Sequence, residues 1–121
     1  MTKQVCKVIS VIAATILAFA PLTARADAYC TAIVTQAYTD AGGHVTIYAP
    51  WRQGWITLCN LNSAWKGVEP ATCFGWFSVV NTAVVNGKNI KLFYADAQAN
   101  CATMPVYGDA PAPHYVMLTH P

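Results

Sequence analysis

The chain has 121 residues, of which 55% are hydrophobic and 10% carry a charge, and its formal net charge is +2. The positive balance belongs to the N-terminal segment, where Lys3, Lys7 and Arg25 outnumber Asp27. The rest of the chain is close to neutral and has no basic patch, which argues against a nucleic-acid partner and against electrostatic steering of an ionic one.

The N-terminal segment has the pattern of a secretory signal peptide. Two lysines flank the start of an almost unbroken apolar run from Val8 to Ala20, and alanines precede Tyr29 at the positions that a signal peptidase reads. The run is too short for a comfortable membrane span, so a retained N-terminal anchor is the less favoured alternative. We predict a cleaved signal peptide over 1–28, a single domain over 29–121, and a secreted or periplasmic protein whose mature chain begins at Asp27 or Tyr29.

Four cysteines remain after the signal peptide, because Cys6 lies within it. An even number of cysteines in a short exported chain is typical of a disulfide framework. No two of them have the C-x-x-C spacing of common zinc sites. We therefore expect two structural disulfides, no metal site and no cofactor. The four cysteines are Cys30, Cys59, Cys73 and Cys101.

Three strands are predicted in the first half of the mature domain. The segment from Cys30 to Tyr38 is rich in β-branched residues, although its alternation is imperfect. After a turn with two glycines, apolar and polar residues alternate cleanly over 44–49. The alternation resumes over 55–59 after a turn that contains Pro50 and Gly54, and a polar connection that carries Trp65 follows.

A helix and two further strands complete the predicted domain. Pro70 suits the first helical position, and Asn86-Gly87 supplies a left-handed stop. Two strands are predicted over 90–94 and 114–119, separated by a long loop. Apolar residues recur at three- and four-residue steps along the helix, which predicts that Phe77 and Val80 are core residues. The predicted apolar face consists of Cys73, Trp76, Phe77, Val80 and Val84.

The order of three strands, one helix and two strands is that of the OB-fold. The predicted fold is therefore mainly β, an OB-fold-like five-stranded small barrel with one helix between strands 3 and 4. In such a barrel the first strand pairs antiparallel with the fourth, which brings Cys30 close to the chain that leaves the fourth strand, where Cys101 lies. Cys59 ends the third strand shortly before Cys73. We predict the disulfides Cys30–Cys101 and Cys59–Cys73, and the other two pairings stay open because spacing alone does not decide connectivity.

The central part of the chain, TLCNLNSAWKGVEPATCFGWFSVVNTAVVNGKNIKLFYAD, resembles the binding subunits of subtilase-cytotoxin-type and typhoid-toxin-type toxins. The resemblance implies a pentameric ring that binds sialylated glycans, partly through residues at the start of the first strand, here Tyr29-Cys30. A second set of segments, GVEPATC, NGK and YGDAPAPHYVML, is similar to small exported bacterial proteins without an assigned role. The toxin-subunit resemblance is carried by Cys59, Trp65, Phe77, Gly87, Phe93-Tyr94 and, weakly, Ile33 to Gln36.

The sequence shows no catalytic constellation, and we predict a protein that is not an enzyme. The histidines have no regular spacing to a set of further metal ligands. Ser63 and Ser78 lie in no nucleophile-elbow pattern. Asp40 and His44 are close in sequence, and the expected contact between them is hydrogen bonding within a hairpin. The histidines are His44, His114 and His120.

The aromatic residues are the strongest candidates for recognition. Trp51 and Trp55 bracket a turn that contains Arg52, and exposed Trp and Arg dominate recognition surfaces. Sugar rings also stack on such side chains. We predict that Trp51, Arg52, Trp55 and Tyr107 form a ligand-binding surface. The alternative is that Trp55 packs inward and Trp51 covers the barrel end, because aromatic side chains bury most area in small cores.

The leading functional hypothesis is a small secreted or periplasmic disulfide-bonded binding module. Its expected ligand is carbohydrate or another exported protein, and no nucleic acid or membrane is expected as a partner after signal cleavage. One alternative is an oligomeric toxin-type B subunit that binds host glycans, which leaves a homo-oligomer open. The other alternative is a small exported enzyme or enzyme inhibitor, and size and disulfides alone favour it.

Overall fold

The computed structural model describes residues 18, 20, 27–95 and 100–120, and the predicted signal peptide lies almost wholly outside them. The strands form two antiparallel three-stranded sheets, ordered β1-β5-β6 and β2-β3-β4. The predicted mainly β class is therefore confirmed. The elements are β1 (Ala28–Ile33), β2 (Ala37–Thr39), β3 (His44–Ala49), β4 (Gly54–Asn60), α1 (Pro70–Asn86), β5 (Asn89–Tyr94) and β6 (Tyr115–Thr119).

The segment predicted as the first strand, Cys30 to Tyr38, is divided between the two sheets. Its first part lies in β1 and pairs with β5, whereas its last part lies in β2 and pairs with β3. Between the two parts Val34 is buried, and the Gln36 carbonyl accepts a hydrogen bond from the Tyr48 N–H at 2.9 Å, which holds the chain beside β3. The prediction of five strands in one barrel is not confirmed, because the described residues form six strands in two sheets without a closed barrel.

The helix has the predicted boundaries. It begins at Pro70 and ends at Asn86, and Gly87 adopts a left-handed conformation with φ of 61° while its N–H bonds to the Ala83 carbonyl. Val80 is buried as predicted. Phe77 is only partly buried and packs against the core from its edge, so its prediction as a core residue was too strong.

The core lies where the inward faces of the two sheets meet one face of α1. On β5, Ile90, Leu92 and Tyr94 are buried and alternate with half-buried residues, as the period of two predicted. The inward residues of β3 and β4 face them from the other sheet. The buried side chains of those two strands include Val45, Ile47, Ala49, Ile56, Leu58 and Cys59.

Both predicted disulfides are formed in the structure. Cys30 of β1 is joined to Cys101 across a sequence separation of 71 residues. Cys59 of β4 is joined to Cys73 in α1 across a separation of 14 residues. The first bridge attaches the loop after β5 to the β1–β5–β6 sheet, and the second attaches the helix to the β2–β3–β4 sheet.

Within the described ranges, no helix is long and apolar enough to cross a membrane.

Candidate functional site

The loop that precedes β6 runs along the edge of β4 and brings Tyr107 beside Trp55. The Tyr107 N–H donates to the Trp55 carbonyl at 2.6 Å, and the Thr57 N–H donates to the Tyr107 carbonyl at 3.2 Å. These bonds form an isolated parallel bridge between Tyr107 and Ile56. The Tyr107 side chain is 52% exposed. Two of the four predicted recognition residues are therefore neighbours at one sheet edge.

The other two predicted residues, Trp51 and Arg52, have structural contacts in the turn between β3 and β4. Trp51 is half-buried against the core, and its indole N–H is buried without a hydrogen-bond partner among the described residues. The Arg52 Nε donates to the Met104 carbonyl at 2.6 Å. The turn packs closely on the same loop, because a Cβ at Gly54 would lie 3.0 Å from Val106 Cγ1. Arg52 thus joins the turn to the loop, while Trp51 packs against the core.

Trp55 belongs to an aromatic cluster on the outward face of the β2–β3–β4 sheet. Its ring lies 5.1 Å from the Tyr38 ring at 61° and 5.5 Å from the Tyr48 ring at 77°, both centroid distances. Such edge-to-face pairs are the geometry that aromatic rings prefer. Tyr48 and Trp55 are paired across β3 and β4, and Tyr38 is 41% exposed. We name Tyr38, Tyr48 and Trp55 the aromatic surface.

Two threonines lie on the same face and are buried beside this cluster. Thr46 pairs with Thr57 across β3 and β4, and their hydroxyl oxygens are 3.1 Å apart. Both residues are buried although they belong to the outward face. One hydroxyl therefore donates to the other. The three residues of the aromatic surface carry no charged group.

The charged pair nearest to it along β3 is Asp40 with His44, at the hairpin turn. The His44 N–H donates to Asp40 Oδ1 at 3.0 Å, and the ring nitrogen Nδ1 lies 3.1 Å from Oδ2. The backbone hydrogen bond from His44 lowers the pKa of the Asp40 carboxyl, with a smaller contribution from the imidazole. The contact stabilises the hairpin, as the sequence predicted, and both side chains are open to solvent.

A second row of aromatic rings crosses the β1–β5–β6 sheet on its outward face. Phe93 lies between its two register partners, 4.9 Å from the Tyr29 ring and 5.2 Å from the Tyr115 ring. Tyr29 is 58% exposed, whereas Phe93 and Tyr115 are half-buried. The row contains none of Trp51, Arg52, Trp55 and Tyr107, but it includes Tyr29, where the toxin-subunit resemblance implied glycan binding.

Sequence reasoning missed Tyr38 and Tyr48 as members of the aromatic surface. The alternation of 44–49 already placed Tyr48 on the outward face, opposite to Ile47. Tyr38 could not be placed, because the change of sheet before it was not visible in the sequence. Among the described residues, no group of three or more His, Cys, Asp and Glu side chains is placed to hold a metal ion.

Comparison with protein-family models, with curated proteins and with solved structures gives no match for this chain. Its function is therefore inferred from the geometry described above.

Proposed function

We propose that this protein is a small exported, disulfide-bonded module that binds carbohydrate through its aromatic surface, without catalysing a reaction. The single observation that carries the proposal is the edge-to-face contact of Trp55 with both Tyr38 and Tyr48 on the outward face of a sheet. Sugar rings bind to aromatic faces that are fixed in advance, because little side-chain entropy is then lost on binding. Tyr107 is bonded to Trp55 through the backbone at the edge of the same sheet, and it is 52% exposed.

We also propose that the fold is OB-like. The proposal is supported by the first segment of the domain, which pairs with β5 through β1 and with β3 through β2, and by a helix between β4 and β5. The OB-fold binds oligosaccharides and oligonucleotides on the face of its second and third strands. These strands correspond to β3 and β4, which carry Tyr48 and Trp55. The near-neutral charge of the domain favours the sugar over the nucleic acid.

A glycan array tests the function when it is run with matched variants of the purified protein. The wild-type protein is expected to bind a defined group of glycans. Trp55→Ala is expected to lose about tenfold in affinity, since an aromatic contact contributes about 0.5–1.5 kcal/mol beyond the area it buries and 1.4 kcal/mol corresponds to about a factor of ten. Phe74→Ala is the control, because Phe74 is 64% exposed on the helix, away from the aromatic surface. Tyr29→Ala tests the second aromatic row.

If Tyr29→Ala loses glycan binding while Trp55→Ala binds fully, the binding site lies on the β1–β5–β6 sheet and not on the aromatic surface. Absence of binding to every glycan on the array would contradict carbohydrate as the ligand and leave an exported protein as the partner. Circular dichroism of each variant distinguishes loss of the site from loss of the fold.

The second candidate is an oligomeric glycan-binding subunit of the toxin type. It is favoured by β6, which is an edge strand of its sheet and carries Met117 and Leu118 at 43% and 42% exposure. Exposed apolar edge strands are templates for pairing with another chain. Multi-angle light scattering of the purified protein separates the two candidates. The toxin-type subunit is expected to have the molar mass of a ring-shaped oligomer, and the carbohydrate-binding module is expected to have the molar mass of a monomer.

A further inference from the structure

A cavity of about 310 Å³ lies between the connection after β4, the first turns of α1 and the segment before β6. This volume lies at the lower end of the range of about 300–1,000 Å³ that is usual for small-molecule pockets. It shares no residue with the aromatic surface. The side chains that line it include Lys66, Glu69, Thr72, Trp76 and His114.

Lys66 is fixed in place at one wall of this cavity. It lies at the tip of a tight turn closed by two backbone hydrogen bonds between Trp65 and Val68, and its φ of 46° is unusual for a residue with a side chain. Its Nζ donates to the Gly108 carbonyl at 2.7 Å and to the Ala110 carbonyl at 2.6 Å. An ammonium has three N–H donors, so these two bonds leave one. The Nζ also lies 4.6 Å from the centroid of the Trp65 ring.

Glu69 lines the same cavity with the opposite charge. It is the N-cap residue of α1, yet its side chain makes no capping hydrogen bond. Within the described part of the chain its carboxylate has no ion-pair partner, and Lys66 is not bound to it. A positive and a negative residue thus line one cavity without an ion pair between them, and both are exposed to solvent.

Trp76 adds an apolar wall to the same cavity. It is half-buried and packs against the core, which fixes its ring. A neutral sugar would leave both charges uncompensated, and a simple anion would meet Glu69 as well as Lys66. A molecule with one carboxylate, one ammonium and an apolar side chain complements all three groups.

We propose that this cavity binds a small zwitterion of the α-amino-acid type. The ligand carboxylate accepts a hydrogen bond from Lys66, the ligand ammonium donates to Glu69, and the apolar side chain packs on Trp76. Thr72 and His114 supply further polar contacts at the rim.

The presence of glutamate at the N-cap position of α1 supports a role for Glu69 in ligand binding, because glutamate is a poor N-cap residue. Serine and aspartate at this position accept a hydrogen bond from the first helical turn and stabilise helices. Glu69→Ser is therefore expected to raise the melting temperature while it removes the carboxylate from the cavity. A variant that gains stability and loses binding excludes misfolding as the cause of the loss.

Isothermal titration calorimetry with the purified protein tests the proposal. The proteinogenic L-amino acids are supplied singly at millimolar concentration, and at least one with an apolar side chain is expected to bind. Its N-acetyl and its amide derivatives are expected to bind at least about tenfold more weakly, because each lacks one charge. Glu69→Ser and Glu69→Gln are expected to lose about tenfold or more, whereas Asp109→Asn, an exposed carboxylate that does not line the cavity, is expected to bind as the wild type does.

The proposal is wrong if no amino acid in the panel binds. It is also wrong if the N-acetyl and amide derivatives bind as tightly as the free amino acid, since the cavity would then recognise only the side chain. Unchanged affinity in both Glu69 variants would overturn the assignment of the ammonium contact.

Discussion

Tyr94 shows how a single polar atom limits the stability of this core. Its side chain is 1% exposed, and its hydroxyl has no hydrogen-bond partner among the described residues. A buried polar group without a partner costs about 1–3 kcal/mol relative to a solvated one. Burial also raises the pKa of the Tyr94 phenol, because the ionised form would lie in an apolar environment.

The substitution Tyr94→Phe keeps the ring and removes the unpartnered hydroxyl. We expect the free energy of unfolding to increase by about 1 kcal/mol, since the desolvation cost of the hydroxyl disappears. Urea denaturation followed by circular dichroism measures the change. A decrease of similar size would mean that the hydroxyl has a hydrogen-bond partner in solution.

The raised pKa of Tyr94 also predicts a loss of stability in alkali. An ordinary tyrosine titrates near 10.0, so above this pH the unfolded state releases the phenolic proton while the folded state keeps it. The unfolded state then binds fewer protons, and the free energy of unfolding falls as the pH rises. Urea denaturation at a series of pH values above neutrality is expected to show a steeper fall for the wild type than for Tyr94→Phe. Equal slopes would contradict the assignment to Tyr94.

At the scale of elements, two cationic side chains join connections that are distant in the sequence. Lys66 joins the turn after β4 to the loop before β6 through two carbonyl oxygens. Arg52 joins the turn after β3 to the same loop. The loop therefore has a defined path along β4, although its sequence has no regular period.

The substitution Lys66→Met tests the contact between the turn and the loop. We expect a loss of about 1–2 kcal/mol in unfolding free energy, because two charge-assisted hydrogen bonds are removed while the carbonyls regain water. Lys88→Met is the matched control, since Lys88 has no side-chain bond in the described structure. Hydrogen exchange at the Ala110 N–H should become faster in Lys66→Met and should stay unchanged in Lys88→Met. Unchanged exchange there would show that the loop is held by its other contacts.

The two disulfides are expected to contribute unequally. In the chain-entropy description, a bridge that closes a longer loop restricts the unfolded state more. Alanine at both Cys30 and Cys101, which are 71 residues apart, should cost about 4 kcal/mol, against about 3 kcal/mol for Cys59 and Cys73 at 14 residues apart. Thermal denaturation of the two double variants shows which disulfide contributes more to stability. The reverse order would show that the loop after β5 retains structure in the unfolded chain.

For the whole molecule, features marked by local chemistry could be predicted from the sequence. Pro70 and Gly87 fixed the predicted ends of the helix, because each restricts the backbone at its own position. The expected strand pairing also predicted which cysteines would meet. The change of sheet at Val34 to Gln36 was missed, since nothing in those residue types breaks a strand.

The candidate site was only partly predictable, for a physical reason. Trp55 and Tyr107 were identified because tryptophan and tyrosine are common in recognition surfaces. The role of Arg52 was not predictable, because its partner, the Met104 carbonyl, lies 52 residues along the chain. The aromatic surface also depends on Tyr38, whose position follows from tertiary pairing rather than from local pattern.

The central claim, that carbohydrate binds at Trp55, is tested most directly by nuclear magnetic resonance. The four tryptophans give four indole N–H signals, which are assigned from single Trp→Phe variants. Titration with the strongest glycan from the array is expected to shift the Trp55 indole signal and the backbone amide of Tyr48, while the buried Trp51 indole signal stays in place. Shifts confined to Trp51 or Trp76, or to the amides of Tyr29 and Tyr115, would contradict the claim.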